Sequence, residues 1–214
     1  MTLRSTKERW GWVTRVLHWT IALAVLGMLA AGLYAVNFVD ISTADGDKQF
    51  YAVIDIHKSF GLSILLLMVV RVLWRLSDRT PAFPVAMPRW ERFAARTSEF
   101  LLYLGLFVMP ISGYLWASAY GEPVRFFGIK LPALVQLTGP WIRLAKHTHD
   151  IAAFVLLTIV VLHVLGALKN HFIDRNDVLR KMLGVQLQHA DREAAPLERL
   201  RPSPDRARGE KALS

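Results

Sequence analysis

The chain has 214 residues, of which 53% are hydrophobic, and its formal charge is +9 at pH 7. It contains no cysteine, which excludes disulfides, thiolate metal sites and iron–sulfur clusters. The basic residues crowd beside the apolar stretches and do not form a separate patch, so we expect a membrane partner and no nucleic-acid partner.

Long uncharged stretches dominate the sequence. Residues 16–38, 100–121 and 151–168 are free of formal charge over 23, 22 and 18 positions. A fourth charge-free run, residues 59–70, has only 12 positions, but the whole segment 50–76 is long enough to span a membrane. The alternative for this segment is a buried soluble helix or a re-entrant segment. About 20 apolar residues cross a bilayer's hydrocarbon core. The pattern predicts an all-α membrane protein, a four-helix bundle in up-down-up-down order. The predicted helices cover residues 13–37, 50–76, 96–119 and 146–172.

Basic residues are unevenly shared between the segments that flank these helices. On one side of the membrane, 14 Lys and Arg lie in segments 1–15 and 71–96 and just after the fourth helix. On the other side, only 5 lie in loops 37–56 and 120–147. Because the cytoplasmic side of a membrane protein carries the excess of Lys and Arg, both termini are predicted to be cytoplasmic. The loop 122–141 is apolar but broken by prolines, and we expect it to lie as a lid over the outer side of the bundle. The remaining segment, 185–214, is polar and charge-mixed, which predicts a disordered cytoplasmic tail.

Four histidines lie inside or at the rim of the apolar stretches: His18, His57, His149 and His163. Imidazole is costly in hydrocarbon unless it has a partner, so each is a functional-site candidate. His149 and His163 are 14 residues apart on one helix, so they share a face at levels roughly 21 Å apart. The helix directions then pair His18 with His163 (the inner pair) and His57 with His149 (the outer pair).

Two imidazole pairs at separate depths suit the axial positions of two haems, since porphyrin supplies the other four iron ligands. The lack of cysteine leaves only noncovalent, b-type haem. Interhelical hydrogen bonding is one alternative, but it is worth less than ~1 kcal/mol on average in membranes. Zinc or a transported metal is another, and such a site needs three or four converging ligands. His147 lies on the face opposite to His163, and we expect it to be an interfacial polar residue.

Several segments resemble the bacterial cytochrome b561 family: VLHW (16–19), IHKSFG (56–61), LMVVRVLWRL (67–76), FVMPISGY (107–114) and HDIAAFVLLTIVVLH (149–163). The resemblance covers about residues 10 to 184. It implies a four-helix diheme b-type cytochrome of the bacterial inner membrane over residues 1–184, with the family's ligand histidines falling on the four positions above. It also implies electron transfer between ubiquinone and an outer-face donor or acceptor, and some members resemble superoxide:ubiquinone oxidoreductases.

Haem propionates are anions, so cations near each pair are candidate partners. Arg71 and Arg75 are the candidates at the inner level, and Lys58 is the candidate at the outer level, where the distribution of basic residues gives no other reason for it. Filled axial positions favour electron transfer over oxygen binding.

Two functions remain open at this point. One is an oxidoreductase that passes electrons from periplasmic superoxide to ubiquinone, with outer cations attracting the anion. The other is a haem-bearing electron-carrier subunit that docks a partner dehydrogenase, a hydrogenase or a periplasmic redox protein. A third possibility is a structural membrane protein without haem.

Overall fold

A computed structural model describes residues 2–119, 124–132 and 134–185. Within these residues the chain forms four helices that are long and apolar enough to cross a membrane. The predicted disordered tail lies, from residue 186 onward, outside the described residues. The elements in order are α1 (Trp12–Phe38), α2 (Ala44–Ser77), α3 (Arg89–Ser118), β1 (Arg125–Phe126), β2 (Ile129–Lys130), α4 (Pro140–Phe172) and α5 (Val178–Leu183).

The long helices pack around one small apolar core and turn most of their apolar surface outward. At most 17% of the residues in any of the four apolar windows are buried inside the protein. A water-soluble protein rarely exposes apolar area on this scale, whereas a bilayer covers it with lipid tails. The prediction of an all-α, four-helix membrane bundle is therefore confirmed. The core itself contains Ile21, Val25, Ile64, Met68, Leu106 and Leu156.

The helices extend further at their N-termini than the hydrophobic runs indicate. The N-terminus of α2 lies at Ala44, where the Thr43 side chain accepts a hydrogen bond of 3.1 Å from the Gly46 backbone N–H. The carboxylates of Asp45 and Asp47 in the first turn stabilise the helix, because they interact favourably with the positive end of its dipole. Polar turns of this kind add helix beyond the hydrocarbon, and hydropathy alone does not detect them.

The loop between α3 and α4 contains a small antiparallel hairpin that the sequence analysis did not predict. Arg125 lies opposite Lys130, and Phe127 and Gly128 form the two-residue turn with φ of 47° and 88°. Positive φ at both turn residues matches the right-handed twist of the strands, but it is strained for a bulky residue such as Phe127. The Ser59 hydroxyl on α2 accepts a 2.9 Å hydrogen bond from the Phe127 N–H, which fastens the hairpin to the bundle.

The segment before α1 is tied to the connection between α2 and α3. The carboxylate of Asp78 accepts hydrogen bonds from the Ser5 N–H at 2.9 Å, the Ser5 hydroxyl at 2.6 Å and the Thr14 hydroxyl at 2.8 Å. Trp74 donates to Thr14 at 3.0 Å. This cluster fixes the N-terminus at the same end of the bundle as the inner pair.

Candidate functional site

The structure brings the four intramembrane histidines together as two pairs. The rings of His18 on α1 and His163 on α4 have centroids 6.4 Å apart, at an interplanar angle of 55°. The rings of His57 on α2 and His149 on α4 are 6.3 Å apart, at 73°. His163 is the most exposed of the four, and the others are half-buried. Helix α4 thus supplies one member of each pair, and α1 and α2 supply the second members.

Both pairs have the spacing that a haem iron between two imidazoles requires. A metal–nitrogen distance of about 2 Å, with each ring centre about 1 Å beyond its nitrogen, separates the two ring centres by about 6 Å. Among the described residues, no three His, Cys, Asp or Glu side chains come together to hold a bare metal ion. The residues present therefore fit two b-type haems, one at each level.

The ring of His149 lies in a socket on α3. Its Nδ1 is 3.0 Å from the backbone oxygen of Met109, and a carbonyl only accepts, so Nδ1 carries the proton and Nε2 keeps its lone pair. A Cβ built on Gly113 would lie 2.8 Å from Cε1 of His149 and 2.9 Å from its Nδ1. The indole of Trp116 contacts the same ring at a centroid distance of 6.0 Å. These three residues share one α3 face at i, i+4 and i+7 spacing, and together they leave the Nε2 of His149 free to bind a metal.

The other member of the outer pair, His57, packs against α1. A Cβ on Gly32 would lie 3.6 Å from Cε1 of His57, which is ordinary contact. Among the described residues the buried Nδ1 of His57 has no hydrogen-bond partner. A buried imidazole nitrogen without a partner is costly, so it marks a place where another group belongs.

Arg71 lies beside the inner pair. Its Nη2 is 3.3 Å from Nδ1 of His18, and its Nε donates to the Tyr103 hydroxyl at 2.9 Å. The guanidinium also lies 5.5 Å from the centre of the Tyr103 ring. A charged side chain at this depth faces the bundle interior, as functional intramembrane charges do. This position makes Arg71 the better placed of the two inner candidates for a propionate.

The two other candidate cations have carboxylate partners. Arg75 donates to Glu99 at 3.0 Å and lies 5.0 Å from the centre of the Trp10 ring. Lys58 is 3.6 Å from Asp55, three residues earlier on α2. This ion pair gives Lys58 a local reason to be at the outer level, which the sequence analysis did not identify.

Sequence reasoning did not assign the α3 socket or Tyr103 to the site. In the sequence, the segment FVMPISGY (107–114) indicates only a family resemblance and no contact with a histidine. The spacing of Met109, Gly113 and Trp116 is a usable signal, because a glycine within a stripe of larger residues marks a close approach. The exposed His147 is outside both pairs.

A membrane bundle with imidazole pairs at two levels defines the protein as a membrane electron-transfer protein of the b-cytochrome class. A family model described as prokaryotic cytochrome b561 matches residues 9–185, and the chain belongs to this family.

Three curated relatives are similar to this chain. Cytochrome b561 homolog 2 of Escherichia coli (strain K12) is 37% identical over 86% of this chain and 96% of its own length. Cytochrome b561 homolog 1 of the same strain is 23% identical over 78% of this chain and 92% of its own length. A probable superoxide oxidase CybB of Yersinia pestis is 27% identical over 60% of this chain and 73% of its own length. The family makes the chain a multi-pass bacterial membrane protein for electron transfer that uses b-type haem.

Proposed function

We propose that this protein carries electrons across the bacterial inner membrane through two noncovalent b-type haems. His18 and His163 hold the inner haem, and His57 and His149 hold the outer one. The observation that carries the proposal is the pairing of imidazoles from separate helices at two depths, with ring centres 6.4 and 6.3 Å apart. Two imidazoles per iron leave no open coordination site, which favours electron transfer over binding of oxygen.

The haems supply the one-electron chemistry, and the chain's own residues hold and orient them. The Met109 carbonyl and Gly113 fix the ring of His149, whose Nε2 would then bind the iron of the outer haem. Arg71 would hold an inner propionate, with Arg75 as the neighbouring cation, and Lys58 would serve a propionate at the outer level. The apolar core between the two levels excludes water from the path.

Superoxide is the donor and ubiquinone the acceptor that we propose. The name of the Yersinia pestis relative, a probable superoxide oxidase, supports the donor. Two superoxide anions each release one electron and leave as dioxygen, and one ubiquinone takes the two electrons with two protons to become ubiquinol. The exposed Arg125 and Lys130, which face the same side of the hairpin, raise the encounter rate of a small anion at this end of the bundle.

A haem count and a reduction experiment test the proposal. The pyridine haemochrome assay on the purified protein is expected to give two b-type haems per chain. Stopped-flow mixing with superoxide, without any partner protein, is then expected to reduce haem, and added ubiquinone is expected to reoxidise it. A spectrum without a Soret band rejects the cytochrome function altogether. Haem that superoxide does not reduce rejects the oxidoreductase and favours an electron-carrier subunit that docks a partner dehydrogenase, hydrogenase or periplasmic redox protein.

A further inference from the structure

One histidine of each pair presents its Nδ1 atom to a neighbouring group, which is the negative end of a neutral peptide dipole in one pair and a cation in the other. At the outer level, Nδ1 of His149 is 3.0 Å from the carbonyl oxygen of Met109, the negative end of a peptide dipole. At the inner level, Nδ1 of His18 is 3.3 Å from the guanidinium of Arg71. At the outer level the contact with Met109 leaves Nε2 of His149 for a metal. At the inner level a metal on Nε2 requires the proton of His18 to be on Nδ1, and Arg71 then acts on this ring as a neighbouring cation and not as a hydrogen-bond partner.

The Met109 carbonyl strengthens His149 as a ligand. A carbonyl that accepts the Nδ1 proton of a metal-bound imidazole fixes the ring and raises its basicity. A more basic ligand stabilises the more positive, oxidised iron, and it thereby lowers the reduction potential. Ser112 also donates to this carbonyl at 3.0 Å, which moderates the effect without removing it.

Arg71 has the opposite influence on His18. A guanidinium only donates, so it cannot be the acceptor that a ligating imidazole needs. Tyr103 holds it in place by the 2.9 Å bond to Nε. Among the described residues Arg71 has no carboxylate within ion-pair distance, so its charge would act on the inner haem and its propionate alone, whereas Arg75 already pairs with Glu99 at 3.0 Å. A fixed cation in a medium of low dielectric disfavours the oxidised iron, so it raises the reduction potential.

The charges near the outer pair largely cancel. Lys146 is 2.5 Å from Asp150, and Lys58 is 3.6 Å from Asp55. Each of these cations has its own carboxylate within four residues on the same helix, so their net field at the outer level is small.

We propose that the Met109 carbonyl and Arg71 set the two haem potentials apart, with the lower potential at the outer pair and the higher at the inner pair. Electron transfer in this direction oxidises the outer haem and reduces the inner one, one electron at a time, with no bond made or broken and no proton exchanged. The fold then favours electron flow from the outer face to the inner face. The inference rests on the proposed function, because it requires a haem at each level.

Redox titration of the purified holoprotein, followed in the haem α-band, tests this assignment. The wild-type protein is expected to titrate in two components. Arg71→Gln removes the cation and is expected to lower the higher-potential component while the other component keeps its potential. Arg71→Lys retains a cation and is expected to retain most of the wild-type separation. The control is Arg79→Gln just after α2, which removes an exposed cation outside both histidine pairs and is expected to change neither component.

Tyr103→Phe gives an independent measurement if Arg71→Gln does not retain both haems. It removes the 2.9 Å hydrogen bond that positions the guanidinium but keeps the charge and the ring beneath it, so the higher-potential component is expected to fall by less than in Arg71→Gln. A protein with two haems in which both the Arg71→Gln and Tyr103→Phe variants titrate like wild type overturns the inference and leaves the proposed function intact. A shift confined to the lower-potential component overturns it equally. A wild-type protein with fewer than two haems overturns the proposed function itself.

Discussion

Gly113 of α3 and the imidazole of His149 on α4 lie so close together that even a methyl group at position 113 would overlap the ring. A contact under 3.0 Å with a ring held by a hydrogen bond cannot be relieved by rotating a flexible chain end. The 3.0 Å bond to the Met109 carbonyl would have to break, or the two helices would have to separate. The outer ligand is thus positioned by α3, a helix that supplies no ligand of its own.

Gly113→Ala is therefore expected to displace His149 and to reduce the haem content from two per chain toward one. The pyridine haemochrome assay measures the loss, and low-temperature EPR of the remaining ferric haem identifies the signal that disappears. Gly27→Ala on α1 is the matched control, because a Cβ there meets nothing within 4 Å. It is expected to retain both haems, and an equal loss in the two variants would contradict a socket at Gly113.

Removal of an inner ligand is expected to affect only the inner site. His163→Ala or His18→Ala should lose one haem and retain the other, since about 21 Å of helix separates the two levels. Haem content and the number of redox components measure the effect. His147→Ala serves as control, because this side chain is exposed and belongs to neither pair. Equal loss of both haems from His163→Ala would contradict independent sites.

The sequence was sufficient to predict the four helices and the histidine pairs, because both depend on periodicity and depth. Charge-free length predicts the spans, and 14 residues between His149 and His163 predict a shared face. These quantities follow from helix geometry alone. They do not depend on which neighbour a given helix face contacts.

Contacts between helices were not predictable in the same way. That Gly113 touches His149, or that Tyr103 holds Arg71, depends on the rotation of each helix about its axis. Many faces of these helices are apolar, so hydropathy does not specify that rotation. The hairpin escaped prediction because Phe127 has a positive φ, which its residue type disfavours, and the Ser59 hydroxyl stabilises it from a distant part of the chain.

Asp78 is expected to make the stability of the protein depend on acid pH. Burial alone would raise the pKa of this carboxyl, but hydrogen bonds from Ser5, Thr14 and the Arg79 backbone outweigh burial and lower the pKa below 3.8. A carboxyl with a lowered pKa in the folded state stabilises the fold fully above its unfolded pKa. This contribution to stability is lost as the pH falls through the pKa that Asp78 has in the folded state. The unfolding temperature of the detergent-solubilised protein should therefore fall upon acidification below about pH 4.

Asp78→Asn removes the charged acceptor of these bonds and is expected to cost about 1–3 kcal/mol at neutral pH. The variant should also lose part of the acid dependence. Thermal unfolding followed by circular dichroism at pH 7 and at pH 3 measures both effects. The control is Asp45→Asn, whose carboxylate is 98% exposed and, within the part of the chain that the structure describes, has Lys48 as its ion-pair partner. An Asp78→Asn variant as stable as this control at pH 7 would mean that the cluster does not hold the N-terminal segment.

Ser59→Ala is expected to loosen the hairpin without unfolding the bundle. The hydroxyl accepts from the Phe127 N–H at 2.9 Å and lies 3.3 Å from the Arg125 carbonyl, and these contacts hold the strained turn against α2. Loss of about 1 kcal/mol corresponds to about fivefold more frequent opening. Hydrogen exchange at Phe127 and tryptic cleavage after Arg125 should accelerate to that degree. Ser63→Ala is the control, since its hydroxyl donates to the Ser59 carbonyl within α2. If the rate of hydrogen exchange in the hairpin is unchanged in both variants, Ser59 does not anchor the hairpin.

The proposed orientation, with both termini in the cytoplasm, can be tested directly because the chain has no cysteine to give a background signal. We expect a cysteine at Lys48, whose side chain is 79% exposed near the start of α2, to react in intact spheroplasts with a maleimide that cannot cross the membrane. A cysteine at the exposed Arg79, just after α2, should react only after the membrane is permeabilised. The two positions bracket the same helix, so they must lie on opposite sides of the membrane if α2 spans it. The reverse labelling pattern would invert the topology and place the inner pair at the periplasmic face. It would leave both histidine pairs and their spacing unchanged, but it would require superoxide to donate electrons at His18 and His163.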